Sequence, residues 1–315
     1  MKRPGLNKKV AVIGAPLGYG AGKPGSELGV EAMRLASLHG GRLIDMIRQL
    51  GYDAEDKGNV EIVRPAERAA AEANPKYLAE TVGSCGNLAE AVAANLADGR
   101  LPVILGGDHS IAIGSISGVA KYFRERNESF GLIWFDAHAD INTPSSSPTG
   151  NIHGMPLATL LGYGDESLVG LGGFSPKLDP RFFAHVGARD LDDGEKGRIH
   201  ELGLEKNFFT MSDIDKRGML DCVNAAIDIA SQAAGGYAVT FDVDVIDPRF
   251  APGSGTLVRG GATYREAHLA LEVIAERGGM RSFEIVEVNP MLDQSNITVE
   301  LACELILSAL GKTIL

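Results

Sequence analysis

The chain has 315 residues, 44% of them hydrophobic and 23% charged, with a formal net charge of −11. That acidity, with no Lys/Arg cluster, argues against nucleic acid or an anionic membrane as partner and suits a small cationic ligand. Cys85, Cys222 and Cys303 lack CxxC spacing, which argues against a disulfide framework and a Cys-ligated zinc. No apolar run approaches the ~18 residues of a membrane span, and the basic N-terminus lacks a signal-type apolar run. A soluble, cytoplasmic protein is expected.

Val10 to Gly14 (VAVIG) reads as a buried parallel strand. The glycine-rich loop after it does not fit a phosphate-binding loop. Leu17 and Pro24 occupy positions where the Walker pattern needs Gly and Ser/Thr, so a loop at the mouth of a site is the better reading. Helix is expected from Ser26 to Leu38, stopped at Gly40, and again over Arg42–Leu50. Val60–Val63 reads as a short strand, Tyr77–Ala97 as a helix, Pro102–Leu105 as a buried strand, Ser110–Arg126 as a helix, and Leu132–Phe135 as a strand. The second half repeats the rhythm. Strands are expected at Phe182–Gly187, Phe208–Thr210, Tyr237–Phe241 and Ser282–Val288, with helices over Gly194–Leu202, Met219–Ala234, Thr263–Arg277 and Asn296–Leu310. Thr263 and Glu266 have capping-box spacing. Alternating strands and helices imply an α/β fold around a mainly parallel sheet covered on both faces. Nothing resembling a linker divides residues 1–315, so one domain is expected.

Ionisable residues gather after the apolar strands, where open α/β sheets form their sites. His109 follows PVILGGD; Asp136, His138 and Asp140 follow LIWF; Asp242 and Asp244 follow AVTF; Glu287 ends SFEIVEV. Singly, each has a plain structural explanation as a turn former, cap or edge carboxylate. As a strand, Asp136, His138 and Asp140 would share one face. Two imidazoles and four carboxylates form a hard, oxygen-rich set, which favours Mg, Ca or Mn, with imidazole tipping the choice toward Mn. Four aspartates balance two divalent cations, whereas one cation would leave buried negative charge uncompensated.

The segments GGDHSIAIGSISG (106–118), DAHADINTP with GNIHG (136–154), FDVDVIDP (241–248) and EVNP (287–290) resemble the signature segments of the ureohydrolase family. Within it, DINTP, EVNP and GARDLDDGE (187–195) resemble the arginase members more than the agmatinases. The resemblance implies a three-layer α/β/α sandwich with an eight-stranded parallel sheet, two Mn(2+) per subunit, and a homotrimer or homohexamer. It implies one manganese on His109, Asp136, Asp140 and Asp242, and the other on Asp136, His138, Asp242 and Asp244. A hydroxide between them would attack the guanidinium carbon, Asp140 would pass a proton to the leaving amine, His153 would shuttle protons, and Glu287 would hold the guanidinium. Asn142, Ser147 and Thr149 would meet the substrate α-carboxylate and Asp192 its α-amino group, with Thr256 also at the substrate and Asp190 and Glu195 in the same loop group. Arg265 and Glu266 resemble residues that pair between subunits of family trimers.

Thr149 stands where arginases commonly carry Ser, Asp193 where Pro is frequent, and Leu257 and Val30 where Pro is usual; none of these is an expected metal ligand. The expected activity is manganese-dependent hydrolysis of L-arginine to L-ornithine and urea. Its rivals are an amidinohydrolase for agmatine or guanidinobutyrate, and a metal-binding homologue without catalysis.

Overall fold

The computed structural model describes residues 9–38, 41–65 and 72–314. The strands are β1 (Lys9–Ala15), β2 (Asp53–Asn59), β3 (Leu101–Gly106), β4 (Gly131–Phe135), β5 (Phe183–Val186), β6 (Phe208–Phe209), β7 (Tyr237–Asp242) and β8 (Met280–Val286). They form one eight-stranded sheet in the order β2-β1-β3-β8-β7-β4-β5-β6, every pair parallel. The α-helices are α1 (Gly29–Leu35), α2 (Leu43–Gln49), α3 (Leu78–Ala97), α4 (Ala112–Arg124), α5 (Pro156–Leu160), α6 (Glu166–Val169), α7 (Asp193–Leu202), α8 (Met211–Arg217), α9 (Met219–Ala230), α10 (Tyr264–Arg277) and α11 (Ile297–Ala309).

The layers follow from strand alternation. In β1, Val10 and Val12 join a core with residues of α1, α9, α10 and α11, while Ala11 and Ile13 face a second core with residues of α3 and α4. Both sheet faces are therefore covered, as expected of an all-parallel sheet. Cys85, Cys222 and Cys303 are free and buried. Among the described residues, no helix is long and apolar enough to cross a membrane.

Several expected elements differ. The strand expected at Val60–Val63 lies earlier, at Asp53–Asn59, where all residues but Ala54 are exposed. This is the edge β2, and a charged edge strand shows no apolar pattern to read. The Ser26–Leu38 helix begins with a 3-10 turn at Ser26–Leu28 and ends at Leu35; its expected stop, Gly40, lies outside the described residues. Helix α9 ends at Ala230, and the short helices α5, α6 and α8 carry too few turns for a periodic signal. The Thr263–Glu266 capping box opens α10 with both reciprocal bonds formed.

One topological feature positions the site. Strands β7 and β8 come last in the chain but insert between β3 and β4. The carboxyl ends of β3, β8, β7 and β4 therefore stand side by side, at the crevice where α/β sheets bind ligands.

Candidate metal centre and substrate cavity

Strand β4 stops at Phe135, so Asp136, His138 and Asp140 are not brought together by strand alternation as expected. The chain instead folds into a compact turn in which Asp140 takes a φ of 52°. The turn is pinned by its neighbours: the His138 amide donates to Asp136 Oδ1 (2.8 Å) and the Ala137 amide to Asp244 Oδ1 (3.1 Å). Glu195 Oε1 accepts the amides of Ala139 (3.2 Å) and Asp140 (2.9 Å). Glu287 also leaves its strand, with φ at 63°, and its Oε1 accepts the His109 amide at 3.0 Å.

The six expected ligands converge. His109 Nδ1 lies 3.1 Å from Asp136, 3.0 Å from Asp140 and 3.3 Å from Asp242. His138 Nδ1 lies 3.1 Å from Asp244 and 3.4 Å from the other oxygen of Asp136. Asp136 thus faces both imidazoles. The close groups of potential ligand atoms are His109/Asp136/Asp242 and Asp136/His138/Asp244. His109, Asp136, Asp242 and Asp244 are buried.

The electrostatics call for a cation. Burial, then the charges of Asp244 and Asp136, push Asp242 well above the usual carboxylate range. Burial, then Asp136, raises Asp140 to about 6. Burial opposes charge on His109, but Asp136, Asp140 and Asp242 outweigh it and hold the imidazole well above its usual range. Two imidazolium charges cannot balance four aspartates, so divalent ions fit this set better than protons do.

His109 shows the same preference in its geometry. Its buried Nδ1 is aligned as a hydrogen-bond donor to no group among the described residues. Its Nε2 lies 2.8 Å from the Thr240 hydroxyl, and its ring stacks on Trp134 at 4.4 Å. With Nε2 as the N–H, Nδ1 presents a lone pair to the cluster.

A cavity of about 190 Å³ opens above the cluster, lined by His138, Asp140 and Asp242 below and by Asn142, Ser147, Thr149, His153, Asp192, Glu195 and Thr256 around it. Asn142 donates to Asp192 Oδ2 at 2.7 Å, and the Ser147 hydroxyl accepts the Gly150 amide at 3.0 Å. The Thr149 hydroxyl accepts the Asn151 amide at 3.2 Å, and Thr256 donates to Asp244 Oδ2 at 2.8 Å. Asp192 and Glu195 form the capping box of α7, a pattern present in the sequence but read there only as a loop group. His153 Nδ1 lies 3.1 Å from Glu287 Oε1; burial opposes its charge, but Glu287 raises it to about 9. Asp190 is exposed. Arg265 pairs with Glu272 of its own helix, and Glu266 is engaged in its capping box.

Sequence reasoning missed the supporting residues. Trp134 donates to Asp136 Oδ2 (3.0 Å), Thr240 meets His109, and Asp108 accepts the amides of Gly20 (2.7 Å) and Ala21 (3.2 Å). That last pair ties the glycine-rich loop to the site. Trp134 and Thr240 lie two residues before Asp136 and Asp242, a spacing that could have flagged them.

The Arginase family model matches residues 8–311. The arginase of Brevibacillus brevis is 42% identical over 98% of this chain and 100% of its own length. A crystal structure of Bacillus subtilis arginase superposes with a TM-score of 0.89 at 42% identity, covering 98% of this chain and 99% of that one. Entamoeba histolytica arginase, solved in complex with L-ornithine, superposes with a TM-score of 0.85 at 30% identity, covering 97% and 99%. Matched over nearly its whole length by that model and these relatives, the chain belongs to the arginase family.

Proposed function

We propose that this protein hydrolyses the guanidinium group of L-arginine to give L-ornithine and urea, using two manganese ions held by His109, Asp136, His138, Asp140, Asp242 and Asp244. The observation that carries this reading is the convergence of those six side chains beneath a small polar cavity. Membership of the arginase family and the ornithine bound by the Entamoeba relative support the choice of substrate. Hard oxygen ligands with two imidazoles support manganese.

When bound, the two cations would acidify water and so make hydroxide available near neutral pH. The protein's own groups do the rest. Glu287 Oε1 is engaged by the His109 amide and His153, which leaves Oε2 for a charge-assisted bond to the guanidinium. Asp140, at the cavity wall, passes a proton to the departing amine. His153 lines the same cavity and relays protons from solvent. Asn142, Ser147 and Thr149 bind the α-carboxylate, Asp192 the α-amino group, and Thr256 steadies Asp244 at the cavity edge. Assembly as a homotrimer or homohexamer belongs to the same proposal and is read by sedimentation.

The deciding experiment supplies L-arginine and agmatine separately to the Mn(II)-loaded protein and measures urea. Urea from arginine is expected. Urea from agmatine alone makes the protein a different amidinohydrolase, and no turnover on a guanidino panel makes it a metal-binding homologue.

A further inference from the structure

Beneath the site, one transverse row of the sheet breaks the apolar rule. The register aligns Ile13, Ile104, Glu284, Thr240, Trp134, His185 and Phe208 across seven strands. The row faces the core that α3 and α4 cover. Glu284 stands in its middle at 1% exposure, and burying a carboxyl in such a place is costly. Oε2 of Glu284 accepts a short hydrogen bond from the Ser115 hydroxyl of α4. Oε1 is buried with no hydrogen-bond partner among the described residues, and the cross-strand neighbour of Glu284 is Thr240. Burial holds the carboxyl above its usual range, opposed first by the Ser115 hydroxyl, then by His109 and Thr240.

Proton counting gives this carboxyl a task. A threonine hydroxyl has one proton to give. For His109 Nδ1 to offer its lone pair to a metal, Nε2 must carry the proton and donate to Thr240. The Thr240 proton then has to point away from His109, and the carboxyl of its cross-strand neighbour Glu284, whose Oε1 is engaged by no other group among the described residues, can take it with a small turn of the hydroxyl. Without an acceptor there, the hydroxyl is free to turn its proton toward Nε2. That favours the tautomer protonated at Nδ1, which cannot ligate.

We infer that Glu284, braced by Ser115, is a positioning residue for the metal centre: it fixes the direction of the Thr240 hydroxyl and thereby the ligating tautomer of His109. The inference rests on the metal-site reading above. It assigns a function to a buried acid that touches neither the cavity nor the cluster.

The test is calorimetric titration of metal-free protein with Mn(II), alongside thermal unfolding of the same metal-free samples. Glu284→Met, similar in size and apolar, is expected to melt no lower than the parent, because the cost of the buried carboxyl is gone. Its affinity at one of the two sites is expected to fall about 10-fold or more, the usual effect of losing an outer hydrogen-bond partner. Glu284→Gln keeps an acceptor oxygen and is expected to recover affinity to within about 3-fold of the parent. Thr240→Val is expected to lose as much as Glu284→Met, and the double variant no more than either, because both act through one hydroxyl. Parent-like binding by Glu284→Met, or losses that simply add in the double variant, would overturn the inference. If Glu284→Met does not fold, Ser115→Ala is titrated instead; a smaller loss at the same site supports the role, and none overturns it. A parent that binds no Mn(II) overturns the metal-site reading instead, so the two failures are distinct.

Discussion

The two histidines of the candidate centre occupy contrasting surroundings. The His109 side chain is 1% exposed, faces three carboxylates, stacks on Trp134 and is held at Nε2 by Thr240. The His138 side chain is 23% exposed, faces Asp136 and Asp244, and forms part of the cavity wall. One half of the centre is dry and pre-shaped by the sheet; the other meets the space where a substrate enters. The difference teaches a division of labour. On the proposed metal-site reading, the His109 side would set affinity and geometry, and the His138 side would admit exchange with solvent.

Asp242→Ala removes a buried carboxylate that faces His109, lines the cavity and is expected to serve both metals, and it should have the largest effect. Metal content and turnover are both expected to fall by more than about 100-fold, beyond the range for an outer partner, as read by metal analysis and urea release. Two normally bound metals in that variant would end the ligand assignment. A chelator challenge separates the halves: the parent should release its first metal fast and its second slowly. His138→Ala should abolish the fast phase and leave the slow one, and the reverse outcome would break the comparison.

The dryness itself is open to measurement at His185, whose ring lies in the row beneath the site, fully buried and stacked on Phe208 at 4.6 Å. Burial lowers its pKa from 6.5 to about 4. The unfolded chain therefore takes up this proton first as pH falls. The contribution of neutral His185 is complete above pH 6.5 and is lost as pH drops through 4. The loss amounts to roughly 3 kcal/mol at about 1.4 kcal/mol per pKa unit. Urea unfolding of metal-free His185→Leu between pH 7 and 4 should show that much less acid sensitivity than the parent; equal sensitivity would mean that the ring is hydrated. The smallest effect is expected at the exposed rim. Thr149→Ser keeps the hydroxyl and should alter the KM for arginine by less than about 3-fold, as one methyl in a solvated loop contributes little.

Much of the site was legible because each ligand follows an apolar run that reads as a strand, and strand ends are where such sheets bind. His109 after PVIL and Asp242 after AVTF needed no structure to be found. Thr240 and Glu284 were hidden because they sit inside those same runs, where a polar residue reads as an interruption of the core. Only the register shows that they are neighbours. The turn at Asp140 was illegible for another reason: its positive φ is imposed by Glu195, more than fifty residues away. Edge strand β2 fails in the opposite sense, since DAEDKGN shows no apolar alternation at all.

The late insertion of β7 and β8 between β3 and β4 bears on the order of biosynthesis. A nascent chain that has emerged only as far as α9 carries His109, Asp136, His138 and Asp140, but on two strands that are not neighbours in the finished sheet. Asp242, Asp244 and Glu287 arrive with the final quarter of the chain and must wedge into the centre, a long-range pairing of the kind that forms slowly. On the proposed metal-site reading the ligand set is completed only once β7 has been made, and a product truncated before Tyr237 lacks both the middle of its sheet and two of the six proposed ligands.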